Sequence, residues 1–283
     1  MLYPFQKMLA RAREQHYAVG AFNVYNLEGV QAVVQAAQDL SSPAILQILP
    51  SALAVGGISL IQLCTESARQ STVPIAVHLD HCPDRQTIRM ALEGGIGSVM
   101  ADGSMHAFDE NVRFTREMVN LAREYHAEVE GELGRLSGSE DGARVDHSLS
   151  ELTDPAKALG FVNTTGVSAL AVCIGNIHGK YPTPPDLDFD RLKKIQDLVP
   201  HPLVLHGTSG LPDRMIRQAV ELGVCKFNVN TEVRGAYLDT MAQMFATGKK
   251  PELVDLMTRG IQAMKQAIIG KIRLFGSENK AFL

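Results

Sequence analysis

Three histidines stand at or just beyond apolar runs that read as strands. His81 follows PIAVHLD, His178 comes shortly after ALAVCIG, and His206 lies in LVLHG. Imidazoles from separate strands form a donor set for zinc, and a catalytic zinc keeps one position open for water or substrate. Carboxylates and amides collect at the same strand ends: Asn23, Asp80, Asp102, Glu132, Asn228 and Asn230. A polar side chain there is costly unless it is paired or used, so their accumulation points to a reaction site. Asp80, next to His81, is positioned for general acid–base work. Asp102 and Glu132 can orient ligand imidazoles or hold a second cation.

One choice stays open at this level. Strict alternation puts His78 and Asp80 on one face of their strand and His81 on the other. The strand ends near this point, and periodicity alone does not choose between the two histidines. His16, His106, His126, His147 and His201 fall in helices or loops and read as surface residues.

Two further segments suit an anion. His206-Gly207-Thr208-Ser209-Gly210 leads into a helix predicted at 213–222, and Asn228-Val229-Asn230-Thr231 into one at 232–246. Glycines expose backbone N–H groups, hydroxyls add donors, and a helix N-terminus favours negative charge. Phosphate binding is the expectation.

These residues need a scaffold that brings distant strand ends together. Apolar runs at 18–23, 44–49, 74–80, 98–102, 127–133, 169–175, 203–207 and 226–230 alternate with helical patterns. In 28–40, Val30, Val33, Val34 and Ala37 share a face. In 109–125, Val112, Thr115, Val119 and Ala122 do so, with Asp109 placed as a cap. Asp213 suits the start of 213–222 and Gly223 its end. Strands alternating with helices predict an α/β fold, a closed (β/α)8 TIM barrel in which sites lie at the C-terminal strand ends. Such a barrel takes about 250 residues, so the 283 residues are expected to form one domain, 1–283. No GxGxxG or P-loop follows the first strand, which disfavours a doubly wound sheet. The interval from Ala127 to Ala169 is longer than any other between strand starts. Its glycine-rich part, about 134–153, is expected to be a mobile active-site loop, and 252–283 a C-terminal helical segment.

Composition excludes several classes. A hydrophobic share of 45% and a net charge of −4 describe a globular chain with no basic surface for nucleic acid and no polybasic membrane anchor. No apolar run reaches the roughly 18 residues of a membrane span, and the N-terminus lacks a signal-peptide core. Cys64, Cys82, Cys173 and Cys225 are dispersed, which reads as reduced, buried thiols in a cytoplasmic protein.

With these residues in view, the sequence resembles the class II fructose-bisphosphate aldolases, including the tagatose-bisphosphate enzymes. The motifs are YAVGAFNVYN at 17–26, HLDH at 78–81, VMADGS at 99–104, VEGELGRLSGSEDG at 129–142, IGNIHGKY at 174–181, VLHGTSG at 204–210, KFNVNTE at 226–232 and KIRLFGS at 271–277. The resemblance implies zinc held by His81, His178 and His206, so His81 rather than His78. It implies that Asp80 exchanges a proton with the C4 hydroxyl of a ketose phosphate. It further implies that Glu140 moves the proton on the dihydroxyacetone phosphate half and that Asp102 and Glu132 lie around an alternative or second metal position. Gly179, Gly207, Thr208, Ser209, Asn228, Val229, Asn230 and Thr231 match phosphate-binding loops, assisted in the family by Na+ or K+. A homodimer or homotetramer is implied as well.

The sequence also departs from the family. Thr208 stands where alanine or glycine is common, and Leu49-Pro50-Ser51 replaces a small polar sequence. An Asp-Pro-Arg motif linked to the far phosphate is absent, and the region reads Lys250-Pro251-Glu252-Leu253. These departures lead to the expectation that the distal group need not be a phosphate. Rival readings fare worse. A barrel metal hydrolase wants paired histidines where Asn23 and Asn26 stand, and a Schiff-base aldolase wants a rim lysine. Lys226 is expected at the start of the last strand, on the wrong end, and Lys180 directly beyond a proposed ligand. Intact Asp80, Glu140 and histidines argue against a non-catalytic stabilising subunit.

Overall fold

A computed structural model describes residues 1–140, 143–179, 181, 183–246, 248 and 250–281; the side chains of Ser139, Glu140, Ala143 and Arg144 lie outside the description. The strands are β1 Val19–Asn23, β2 Ala44–Ile48, β3 Ile75–Cys82, β4 Ser98–Ala101, β5 Glu128–Leu133, β6 Gly138–Glu140, β7 Ala143–Val145, β8 Ala169–Val172, β9 Leu203–Leu205 and β10 Val224–Val229. The helices are α1 Phe5–Glu14, α2 Leu27–Asp39, α3 Pro50–Gln70, α4 Arg85–Glu93, α5 Phe108–Glu124, α6 Pro155–Thr165, α7 Phe189–Leu198, α8 Asp213–Glu221, α9 Thr231–Ala246 and α10 Leu253–Leu274.

Eight of the strands close a barrel in the order β1-β10-β9-β8-β5-β4-β3-β2. Neighbouring barrel strands run parallel, and the fold is the expected (β/α)8 barrel. Each of the eight apolar runs supplies one strand, because a strand buried on both faces needs little alternation. The outward face of the sheet packs on the helices in one large core. The inner face forms a second core closed from below by α1, whose Phe5, Met8, Leu9 and Ala12 meet Val19, Ala21, Ile45, Ala76 and Met100. Full burial of a side chain such as Phe5 or Leu9 is worth roughly 1.5–3 kcal/mol, so this helix plugs the N-terminal end and leaves the C-terminal end as the mouth.

Local chemistry sets the helix starts. Asn26, Asp84, Asp154 and Asp188 each accept a backbone N–H from the first turn of the helix they precede. Two expected caps are corrected. Ala107 precedes α5, so Asp109 lies inside the first turn, where its charge opposes the positive helix end. Pro212 precedes α8, making Asp213 its first residue. Gly223 follows α8 at φ 88°, as its position required.

Two larger segments have structure that the apolar pattern did not mark. The interval 134–153 holds an antiparallel hairpin, β6 with β7, and a single turn of 3-10 helix at His147–Leu149. By length and composition α3 is apolar enough to cross a membrane, against the expectation of no such segment. It is broken at Gly57, where φ is 59°, and buries Leu53, Leu60, Ile61, Cys64 and Ala68 against the barrel. The four cysteines are free and buried, as expected.

Candidate active site and metal centre

The barrel interior changes character along each strand. Toward the mouth the inward positions become polar: Asn23, Gln47, Asp80, Glu130, Glu132, His206 and Asn228 are all buried. Alternation does lapse at His81, and the reason is visible. His81 has φ 42°, and the β3–β4 register shifts between Leu79 and Cys82. The added residue turns both Asp80 and His81 toward the mouth. His78 lies a layer below, stacked on Phe5 at 4.8 Å and bonded through Nδ1 to Ser98 Oγ at 2.9 Å.

The three predicted imidazoles converge. The His81 ring centroid is 4.4 Å from that of His206 and 4.8 Å from that of His178, with 6.3 Å between the latter two. Ligand atoms of Asp80, His81 and His206 fall within 4.8 Å of one another, as do those of His81, Asp102 and Glu132. His178 stands at the edge of this cluster, on the loop after β8.

Carboxylates orient two of the rings. His81 Nδ1 bonds Asp102 Oδ2 at 2.9 Å, leaving its buried Nε2 without a partner. His206 Nε2 bonds Glu130 Oε1 at 2.8 Å, so Nδ1 carries the lone pair, met by Asn228 Nδ2 at 2.7 Å. A carboxylate that takes one ring N–H and presents the other nitrogen is the arrangement of metal-binding histidines. Burial opposes charge on His81, but Asp80 and the Asp102 hydrogen bond outweigh it and raise its proton affinity well above the ordinary value. Burial also raises Asp102, yet the His81 bond prevails and holds that carboxyl well below the usual range. Burial, with Asp102 nearby, pushes Glu132 well above its ordinary value.

Asp80 is gripped by amides. Asn23 Nδ2 and Gln47 Nε2 donate to Oδ2 at 2.9 and 2.8 Å, and Asn228 Nδ2 donates to Oδ1 at 3.0 Å. Sequence reasoning missed Gln47, although a glutamine within AILQI was the signal. It also missed Glu130, which shares its strand face with Glu132, and the burial of Lys226. That lysine is the third residue of β10, which starts at Val224, and it is fully buried inside the barrel beneath the histidines, below the rim. Lys226 Nζ donates to Asn228 Oδ1 at 2.7 Å and lies 2.9 Å from Glu130 Oε2, a charge contact without hydrogen-bond alignment.

The loop bearing His178 is clamped by close backbone approaches. His178 N–H donates to Ser137 O at 2.8 Å, and buried Asn176 donates from Nδ2 to His206 O at 3.0 Å. A Cβ on Gly207 would sit 2.0 Å from Ile177 O, and one on Gly138 would sit 2.1 Å from His178 O. Only glycine fits either place. Asn176 was another residue that sequence reasoning passed over.

The predicted anion loops lie on the same mouth. Gly179 and Gly207 have positive φ, and α9 opens at Thr231 directly beyond Val229 and Asn230. The hydroxyls are already engaged: Thr208 Oγ1 donates to Asn228 O at 2.8 Å and Ser209 Oγ to Glu232 Oε2 at 2.6 Å. Asn230 Oδ1 accepts from Tyr25 at 2.8 Å. With the Thr208 and Ser209 hydroxyls donating elsewhere, the backbone N–H groups of these loops are donors that suit an anion. The Glu140 side chain and Lys180 lie outside the described residues.

Comparison with known proteins places the chain among aldolases. The model of the family "Fructose-bisphosphate aldolase class-II" matches residues 3–280. A protein assigned as a fructose-1,6-bisphosphate aldolase from Coccidioides immitis is 34% identical, with a TM-score of 0.93 over 98% of this chain and 97% of that one. The YdjI aldolase of Escherichia coli K12 is also 34% identical, with a TM-score of 0.88 over 100% of both chains. Fructose-bisphosphate aldolase from Campylobacter jejuni, at 21% identity and a TM-score of 0.83 over 99% and 97%, shares the fold. The chain belongs to the class II fructose-bisphosphate aldolase family, whose members are lyases.

Proposed function

We propose that the protein is a zinc-dependent ketose-phosphate aldolase that reversibly cleaves a ketose 1-phosphate or 1,6-bisphosphate, of fructose or tagatose type, to dihydroxyacetone phosphate and an aldehyde. One observation carries the reading: His81, His178 and His206 meet within a few ångströms beside an amide-held Asp80. The donor set suits zinc. Its imidazoles come from the ends of β3 and β9 and from the loop after β8, and the buried Nε2 of His81 has no other partner. When bound, such an ion supplies Lewis-acid stabilisation of the negative charge that develops as the C3–C4 bond breaks. The His81–Asp102–Glu132 group supports an alternative position for the ion.

The remaining work falls to the chain itself. Asp80 accepts the C4 hydroxyl proton, its oxygens oriented by Asn23, Gln47 and Asn228. Glu140 is assigned proton transfer on the dihydroxyacetone phosphate carbon. The β6–β7 hairpin that carries it limits access of water. Backbone N–H groups of Gly179, Gly207–Ser209 and Asn228–Thr231 bind the phosphate, with Na+ or K+ nearby. We place the enzyme in the cytoplasm as a homodimer or homotetramer. Leu238, Phe245, Leu253 and Val254, exposed on α9 and the start of α10, support self-association.

A cleavage panel of fructose and tagatose 1,6-bisphosphates and ketose 1-phosphates tests the reading. Dihydroxyacetone phosphate should form, cease on chelation and resume with zinc. No release from any member by zinc-loaded protein would refute it.

A further inference from the structure

The mouth has a second half that the histidines and anion loops do not account for. The anion loops follow β8, β9 and β10, which adjoin one another in the barrel. Across the centre, over the contiguous strands β2 to β5, lies a cavity of about 340 Å3. His81, His178, Asp102 and Glu132 form its inner end. Leu49, Pro50, Pro83, Met105, Leu136 and Val145 form its walls, with Ser51 and Ser104 as the small polar members. A substrate whose phosphate sits on the β8–β10 arc and whose reacting carbons sit at the histidines must extend its other end into this cavity.

The lining decides what that end can be. Among the described residues the lining holds no lysine or arginine, and its two imidazoles, His81 and His178, are those assigned to the metal. Arg135, on the same segment as the hairpin, is committed elsewhere: its Nε donates to Ser104 O at 2.8 Å and its Nη1 to Leu149 O at 3.4 Å. A phosphate dianion here would lose water against apolar walls and face the Asp102 carboxylate. Resting on the aldolase reading, we propose that the aldehyde partner is uncharged, its distal carbons packed against Leu49, Pro50, Met105 and Leu136. The sugar substrate is then a ketose 1-phosphate without a far phosphate. In the condensation direction, C3 of dihydroxyacetone phosphate gives up a proton. Its electron pair bonds the aldehyde carbon, and the aldehyde oxygen takes a proton to become the C4 hydroxyl. Nothing is oxidised or reduced.

The experiment has two arms on the zinc-loaded enzyme. Exchange of a C3 hydrogen of dihydroxyacetone phosphate with deuterated water, followed by NMR, needs no aldehyde. Condensation is then measured with butanal, glyceraldehyde and glyceraldehyde 3-phosphate. The better uncharged aldehyde should exceed glyceraldehyde 3-phosphate in kcat/KM by at least about tenfold. Met105→Arg should shrink that ratio by about fivefold or more by adding a cation at the rim. Exchange combined with parity, or with preference for glyceraldehyde 3-phosphate, overturns the cavity assignment and leaves the aldolase reading standing. Absence of exchange overturns both.

Discussion

His206 Nε2 lies 2.8 Å from Glu130 Oε1, with both side chains fully buried. The other oxygen of the same carboxylate is 2.9 Å from Lys226 Nζ. One carboxylate therefore orients a candidate metal ligand and neutralises a lysine inside the barrel. Breaking a buried ion pair from one side leaves an uncompensated charge and costs about 3–5 kcal/mol. Lys226→Met should lower unfolding free energy by that order in urea denaturation. Adding Glu130→Gln to it should recover part of the loss. An undiminished stability of Lys226→Met would show that the pair does not hold the barrel centre.

Gly207 presses its backbone on Ile177, the residue before His178. Gly207→Ala adds a methyl group where none fits, at a φ of 66° that costs about 1–2 kcal/mol for other residues. Stability should fall by at least that much, and zinc affinity with it, because the loop bearing His178 must shift. Competition against a chromogenic chelator measures the second effect. Wild-type zinc affinity in a destabilised Gly207→Ala would separate the clamp from the metal site.

The barrel and its rim were legible because both depend on simple regularities. Eight apolar runs marked the strands, and polar residues at their ends marked the mouth. What escaped lay inside the barrel. Glu130 and Lys226 are one turn of the pleat below Glu132 and Asn228, on strands read as apolar or as only just beginning. Inward alternation over EVEGEL would have put Glu130 and Glu132 on one face. The irregularity between Val224 and Lys226 hid the lysine. His81 escaped alternation for a similar reason, since a left-handed residue re-aims a side chain without leaving a periodic trace. The β6–β7 hairpin, short and rich in glycine and serine, offered no alternation to read.

Asp80 takes three amide hydrogen bonds at 2.8–3.0 Å. Asp80→Asn keeps the shape and removes the proton acceptor. Cleavage kcat should drop about a hundred- to ten-thousandfold, the usual worth of a general base, while zinc content stays at the wild-type level. Loss of metal from this variant would instead make Asp80 a ligand, as its grouping with His81 and His206 allows.

His78 makes stability depend on pH. Burial, followed by the charge of Lys226, lowers its proton affinity well below the ordinary 6.5. The unfolded chain binds a proton as pH falls through about 6.5, and the folded chain does not. This group therefore leaves stability untouched above that pH and removes about 1.4 kcal/mol per pH unit below it. His78→Gln lacks the titration. Unfolding free energies of zinc-loaded wild type and variant should draw together from pH 6.5 to 5.5. Parallel curves would place the proton elsewhere.

The central claim is that three imidazoles, two from the ends of β3 and β9 and one from the loop after β8, hold one metal ion. Elemental analysis of purified wild type and of His206→Ala, both folded by circular dichroism, tests it most directly. The account predicts close to one zinc per wild-type chain and little in the variant. Equal zinc in the two proteins would contradict it.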